Sequence, residues 1–260
     1  MHSSFSDGEN SPEELVRRAQ EKGMTHLGIS DHGYAPYDTD CCIPLPLLAE
    51  HWDCLRALKL RCRDTLALYC GIEQDFYSDT PTEAYDYVIG SVHYLLCEGI
   101  YFAVDDTPER LRELCARGYG RDFYALAEDY YQTVGAVYER TRCDLIGHFD
   151  LISKFNEKVP LFDPAHPRYV AAWQGAADRL LATGRPFEIN TGAMSRQWRT
   201  EPYPADPILR YLASRGARFV LSSDSHSAEN LCFAFPEQLR RARRLGLELC
   251  PFSEVLRGKN

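Results

Sequence analysis

Predicted strands in this sequence repeatedly end in a residue that can bind a metal or carry a proton, and this repetition limits the fold more than any other feature. The clearest case is Phe219-Val220-Leu221-Ser222-Ser223-Asp224-Ser225-His226, where a buried-strand pattern runs directly into an Asp and a His two positions apart. Residues i and i+2 of an extended chain point to the same side, so Asp224 and His226 are expected to converge on one point. Five other predicted strands end similarly. Residues 26–30 lead to Asp31-His32, 67–72 to Glu73 with Asp75 two residues on, 87–92 to His93, 144–147 to His148 and 186–189 to Asn190.

Helical patterns lie between these strands. Ser11-Pro12-Glu13-Glu14 has an N-cap Ser, a Pro at the first helical position and Glu14 where a capping box needs it. Further helices are expected over 46–63, in pieces through 107–141 broken near Gly118 and Gly120, and over 167–182, 207–214 and 236–245. The tyrosines of the middle segment (Tyr124, Tyr130, Tyr131, Tyr138) read as packing with hydroxyls at the rim rather than as a ligand cage. Strands alternating with helices call for a mostly parallel sheet covered by helices, with the polar strand ends forming the site. With no linker in the series, residues 1–260 read as one domain.

Four of the eight histidines (His32, His93, His148, His226) sit at strand ends, together with Asp31, Glu73 and Asp224. Burying so much ionisable chemistry in one mouth is costly unless cations compensate it. Imidazole with carboxylate suits Zn, Mn or Fe, and the ligands are too many for a single tetrahedral ion. Two or three divalent ions are therefore expected. The net charge of −9 argues against a general nucleic-acid binder. No apolar run is long enough to cross a bilayer, and no secretory leader opens the chain. The ten cysteines follow neither a disulfide framework nor C-x-x-C spacing, which fits a reducing cytoplasm.

The motifs His2-Ser-Ser-Phe-Ser-Asp7-Gly8, Ser30-Asp31-His32, Gly71-Ile72-Glu73, Gly90-Ser91-Val92-His93, Gly147-His148-Phe149-Asp150, Glu188-Ile189-Asn190 and Ser223-Asp224-Ser225-His226 follow one another over nearly the whole chain. In these the sequence resembles the PHP (polymerase and histidinol phosphatase) family, and its phosphatase branch more closely than the polymerase-associated one. The resemblance implies an α/β fold, a single distorted (β/α)7 TIM-like barrel, with a trinuclear metal centre. It implies that Glu73 bridges two metals, one also held by His93 and His148. Asp224 would join Glu73 on another with the opening histidines, and Asp7, His32 and His226 would take the third. Glu73, Asp224 and His226 are the expected catalytic residues, and Arg196 and Lys154 the candidate phosphate binders. The implied reaction is metal-assisted hydrolysis of L-histidinol phosphate. Alternatives are a phosphoesterase or nuclease acting on another ester, a more distant amidohydrolase-like metal barrel, and an inactive metal-depleted scaffold.

One departure stands out. The family opens with D-x-H-x-H at the end of its first strand, and His2 fits only the second of those histidines. The first strand is therefore expected to be truncated, with its Asp and first His upstream of Met1; the alternative is that the protein lacks them, which would deplete the first metal site and weaken the barrel.

Overall fold

The computed structural model describes residues 1–256. Seven strands form one parallel sheet in the order β1-β2-β3-β6-β7-β8-β9: β1 (His26–His32), β2 (Ala67–Asp75), β3 (Tyr87–Ser91), β6 (Leu145–Ile146), β7 (Phe187–Asn190), β8 (Arg218–Ser222) and β9 (Glu248–Leu249). The other two strands, β4 (Tyr94–Cys97) and β5 (Ile100–Ala103), make a separate antiparallel hairpin. The expectation of six strands is thus corrected twice. The seventh parallel strand is a two-residue C-terminal piece beside β8 that, unlike the equally short β6, has an exposed Glu248 and no buried apolar run to mark it. The hairpin was missed because its strands are only four residues each and leave Leu96 and Ile100 exposed.

Helices α1 (Pro12–Glu21), α2 (Leu48–Cys62), α3 (Pro108–Gly118), α4 (Phe123–Gly135), α5 (Val137–Thr141), α6 (Pro167–Leu181), α7 (Gly192–Ser195), α8 (Asp206–Ser214) and α9 (Phe235–Leu245) complete the chain. The capping box of α1 forms as expected: the Glu14 N–H donates to Ser11 Oγ at 3.3 Å and the Ser11 N–H to Glu14 Oε2 at 2.9 Å. Tyr130 and Tyr131 of α4 are packing residues, although they lie wholly inside rather than at a rim. The Tyr131 hydroxyl is satisfied in the core by Tyr169 at 2.8 Å.

Alternation along the strands separates two cores. Leu68, Cys70 and Ile72 of β2 face the helices, while Tyr69 faces the inner cluster of Tyr87, Ile89, Leu145 and Val220. Gly28 and Gly71 leave room for the Tyr87 ring, which a Cβ at either position would strike. The sheet curls, and its ends approach each other across the N-terminus. The Ser30 N–H donates to the Met1 carbonyl (2.8 Å), and the His2 N–H to the carbonyl of Ser225 beyond β8 (2.9 Å). All ten cysteines are free, and among the described residues no helix is long and apolar enough to cross a membrane.

Candidate metal centre

In β2, Tyr69, Gly71, Glu73 and Asp75 share the face opposite Leu68, Cys70 and Ile72, so period-two geometry brings both carboxylates to the mouth. Parallel pairing sets His32 of β1 level with Glu73. His93, His148 and Asp224 each lie two residues past the ends of β3, β6 and β8, with His226 two further on. His2 and Asp7 arrive on the N-terminal loop. All eight residues meet.

The short distances define the centre. His2 Nε2 lies 2.9 Å from Asp224 Oδ1 and 3.3 Å from Glu73 Oε2. Glu73 Oε1 is 3.1 Å from His148 Nε2 and 3.4 Å from His93 Nε2, and those two nitrogens are 3.1 Å apart. His226 Nε2 sits 3.1 Å from Asp7 Oδ2, and His32 Nε2 3.8 Å from Asp7 Oδ1. Among the described residues three ligand groups result: His2-Glu73-Asp224, His32-Glu73-His93, and His2-Asp7-His32-His226.

Two details differ from the expectation. The extended geometry does not continue past β8, because Asp224 adopts a left-handed backbone (φ 42°). Asp224 and His226 consequently enter different groups, linked by His2. Such strain in an Asp is typical of functional turns. Asp31 also departs, since alternation turns it away from its neighbour His32. It is fully buried against His51 (Nε2 to Oδ2, 3.0 Å), Ser3 and Ser6, and it anchors the loop that carries His2 and Asp7.

The donor set fits cations. Burial opposes charge on His2, yet Asp224 and Glu73 raise its pKa to about 10. Burial and the neighbouring His2 push His32 down to about 4. Burial likewise opposes ionisation of Glu73, but the surrounding imidazoles, His32 foremost, hold it well below the usual carboxylate range. Buried His2 Nδ1 has no hydrogen-bond partner. Five imidazoles and three carboxylates forced together and sharing protons are what divalent ions would relieve.

Sequence reasoning named two buried carboxylates, Glu188 and Asp75, without assigning either a role. Glu188 accepts the His148 backbone N–H (2.9 Å) and an Asn190 side-chain N–H (2.9 Å), so strand-end Asn190 braces Glu188. Burial, with Asp224 nearby, raises the Glu188 pKa. Asp75 grips His93. The i, i+2 spacing of Glu73 and Asp75 was the available signal, but their different partners were not.

The centre floors a cavity of about 660 Å³ walled by Tyr37, Asp38, Tyr94, Tyr101 and Asp105. Both predicted cations line it. Arg196 reaches His226 Nδ1 (2.9 Å) and Asp224 Oδ2 (3.4 Å). Lys154 is held by Asp105, at 2.6 Å from its carbonyl and 2.9 Å from its carboxylate. A larger open cleft of about 720 Å³, which includes Arg140 and Arg185, contains none of these eight residues.

A curled parallel α/β sheet with clustered His, Asp and Glu at one mouth defines the class of TIM-like proteins whose strand ends build a site able to bind metal. The PHP domain profile matches residues 1–192, and the chain belongs to the PHP family. A Deinococcus radiodurans protein named "probable histidinol-phosphatase" is 32% identical, with the match covering 90% of this chain and 87% of that one. The Bacillus subtilis histidinol-phosphatase is 23% identical, over 88% and 91% respectively. Among solved structures, a candidate histidinol phosphatase from Listeria monocytogenes superposes with a TM-score of 0.80 at 18% identity, covering 91% of this chain and 97% of its own. The histidinol phosphate phosphatase of Lactococcus lactis, complexed with Zn, L-histidinol and phosphate, gives 0.71 at 19% identity, covering 96% and 93%.

Proposed function

We infer that this chain is a metal-dependent phosphoric monoester hydrolase that converts L-histidinol phosphate to L-histidinol and phosphate, a step of histidine biosynthesis. The observation that carries this reading is the convergence of eight side chains able to bind metal, seven of them lining one cavity, with Arg196 beside them. The substrate is supported by the relatives that bear this name and by the ligands of the Lactococcus lactis neighbour.

In this reading residues 1–260 form one (β/α)7 TIM-like domain that works in the cytoplasm and takes two or three divalent ions (Zn, Mn or Fe). His2, Asp7, His32, Glu73, His93, His148, Asp224 and His226 hold the ions. When bound, the ions supply Lewis-acid stabilisation of charge on the phosphoryl oxygens and acidify water toward neutral pH. Glu73 serves two ligand groups at once, while Asp224 and His226 carry the remaining sites up to the reacting phosphoryl group. Arg196 reaches over Asp224 and His226 and holds the phosphate through charge-assisted hydrogen bonds. Lys154, already paired with Asp105, sets the charge of the wall and contributes less to phosphate binding. Asp38 and Asp105 offer carboxylates to the substrate ammonium, and Tyr37, Tyr94 and Tyr101 flank its imidazole. The substrate is small, and neither nucleic acid nor membrane is a partner.

The test is phosphate release by metal-loaded protein from L-histidinol phosphate, against a panel of other phosphomonoesters and a phosphodiester. Histidinol phosphate should be preferred, and Glu73→Gln should cost at least about 100-fold in kcat. Metal-loaded protein that releases no phosphate from it would overturn the substrate assignment.

A further inference from the structure

Asp75, the last residue of β2, is buried and makes four polar contacts, two of them to a single residue, His93. Its Oδ2 accepts the His93 backbone N–H at 2.8 Å and lies 3.3 Å from His93 Nδ1. Its Oδ1 accepts the Tyr37 hydroxyl at 2.6 Å and the Tyr77 backbone N–H at 3.0 Å. An ionised carboxylate only accepts, so this contact favours a proton on Nδ1, the tautomer in which Nε2 would be free to bind a cation. That Nε2 is the atom facing Glu73 and His148. Tyr37 stacks on Tyr101 of the hairpin with centroids 4.0 Å apart and meets Tyr94 edge-on at 4.9 Å. A continuous path therefore runs from the cavity wall through Tyr37 and Asp75 to a residue of the centre.

We propose that Asp75 is a positioning residue that fixes the tautomer and orientation of His93 for metal binding, and that Tyr37 ties the β4–β5 hairpin to it. This rests on the metal-binding reading above and is independent of which phosphoester is cleaved. Asp75 also supports the local turn, since its side chain accepts from Tyr77. Asp75→Asn separates the two roles. Its single amide oxygen, placed at the Oδ1 position, still accepts from the Tyr77 N–H and the Tyr37 hydroxyl, while the amide nitrogen then faces His93, is a donor and cannot hold a proton on Nδ1.

Zinc affinity is measured by chelator competition without substrate, together with the visible spectrum of the cobalt-loaded protein. Asp75→Asn is expected to weaken one zinc ion per chain by about 10–100-fold and to alter the cobalt spectrum. In the phosphatase assay kcat should fall with KM little changed, and Asp75→Glu should recover part of the zinc affinity. Wild-type zinc affinity and stoichiometry in a folded Asp75→Asn protein would overturn the proposal. If that variant does not fold, Tyr37→Phe is the deciding arm, since it removes one donor to Oδ1. It should weaken zinc a few-fold and shift the cobalt spectrum, and no change in either would equally overturn the proposal.

Discussion

His2 shows how far a neighbourhood can move one side chain. Burial alone would keep its imidazole neutral, but Asp224 and Glu73 hold a proton on it up to a pKa of about 10. Metal binding needs that proton gone. Zinc loading at pH 7 should therefore release at least one proton per chain. Apparent affinity should rise with pH through neutrality, by about tenfold per pH unit for each proton displaced. Calorimetry in buffers of different ionisation enthalpy checks this; a heat independent of buffer would contradict the protonated His2. Asp31 makes the opposite case, a carboxylate adjacent in sequence to a ligand yet devoted to structure. His51→Ala leaves it buried with only Ser3 and Ser6 as donors, and should cost on the order of 3 kcal/mol in a urea titration. Neither role is legible in the sequence. Asp31 and His32 look equally suited to the site, and only the side to which each turns separates them.

At the scale of elements, β2 carries most of the design. One face packs on the helices and the other supplies Glu73 and Asp75, with Gly71 between Tyr69 and Glu73 so that the Tyr87 ring can lie against the strand. Gly71→Ala should overpack this contact and lower stability by about 1–3 kcal/mol, seen as a fall in Tm, with the metal residues untouched. A variant as stable as the parent would show that Tyr87 has room to move. Most elements were legible because their signals are local. The α1 capping box, the strand runs and the helical stripes each need only a few neighbouring residues. The hairpin and β9 were not, since their exposed positions break the buried run that marked the equally short β6 and β7. The hairpin matters for function, because its Tyr94 and Tyr101 wall the cavity.

At the scale of the whole molecule, ligands from residue 2 to residue 226 meet because the sheet curls until Met1-His2 hydrogen-bonds to both Ser30 and Ser225. Ions at this junction would tie β1, β2, β8 and the N-terminal loop together. Removing them with a chelator should lower Tm and abolish phosphatase activity, with both restored by zinc. An ion at about 100 times its dissociation constant adds about 2.7 kcal/mol. A Tm unmoved by chelation and zinc would show that the carboxylate–imidazole pairs are equally stable without ions. The sequence by itself determined the class of fold and the strand ends that carry chemistry, because alternation and strand-to-helix order are written locally. Only the tertiary structure decided that Asp224 turns left-handed, and that Asp75, Asp31 and Glu188 brace the site. Those outcomes depend on distances between residues far apart in the chain, which are set by the curl of the sheet and not by any local pattern.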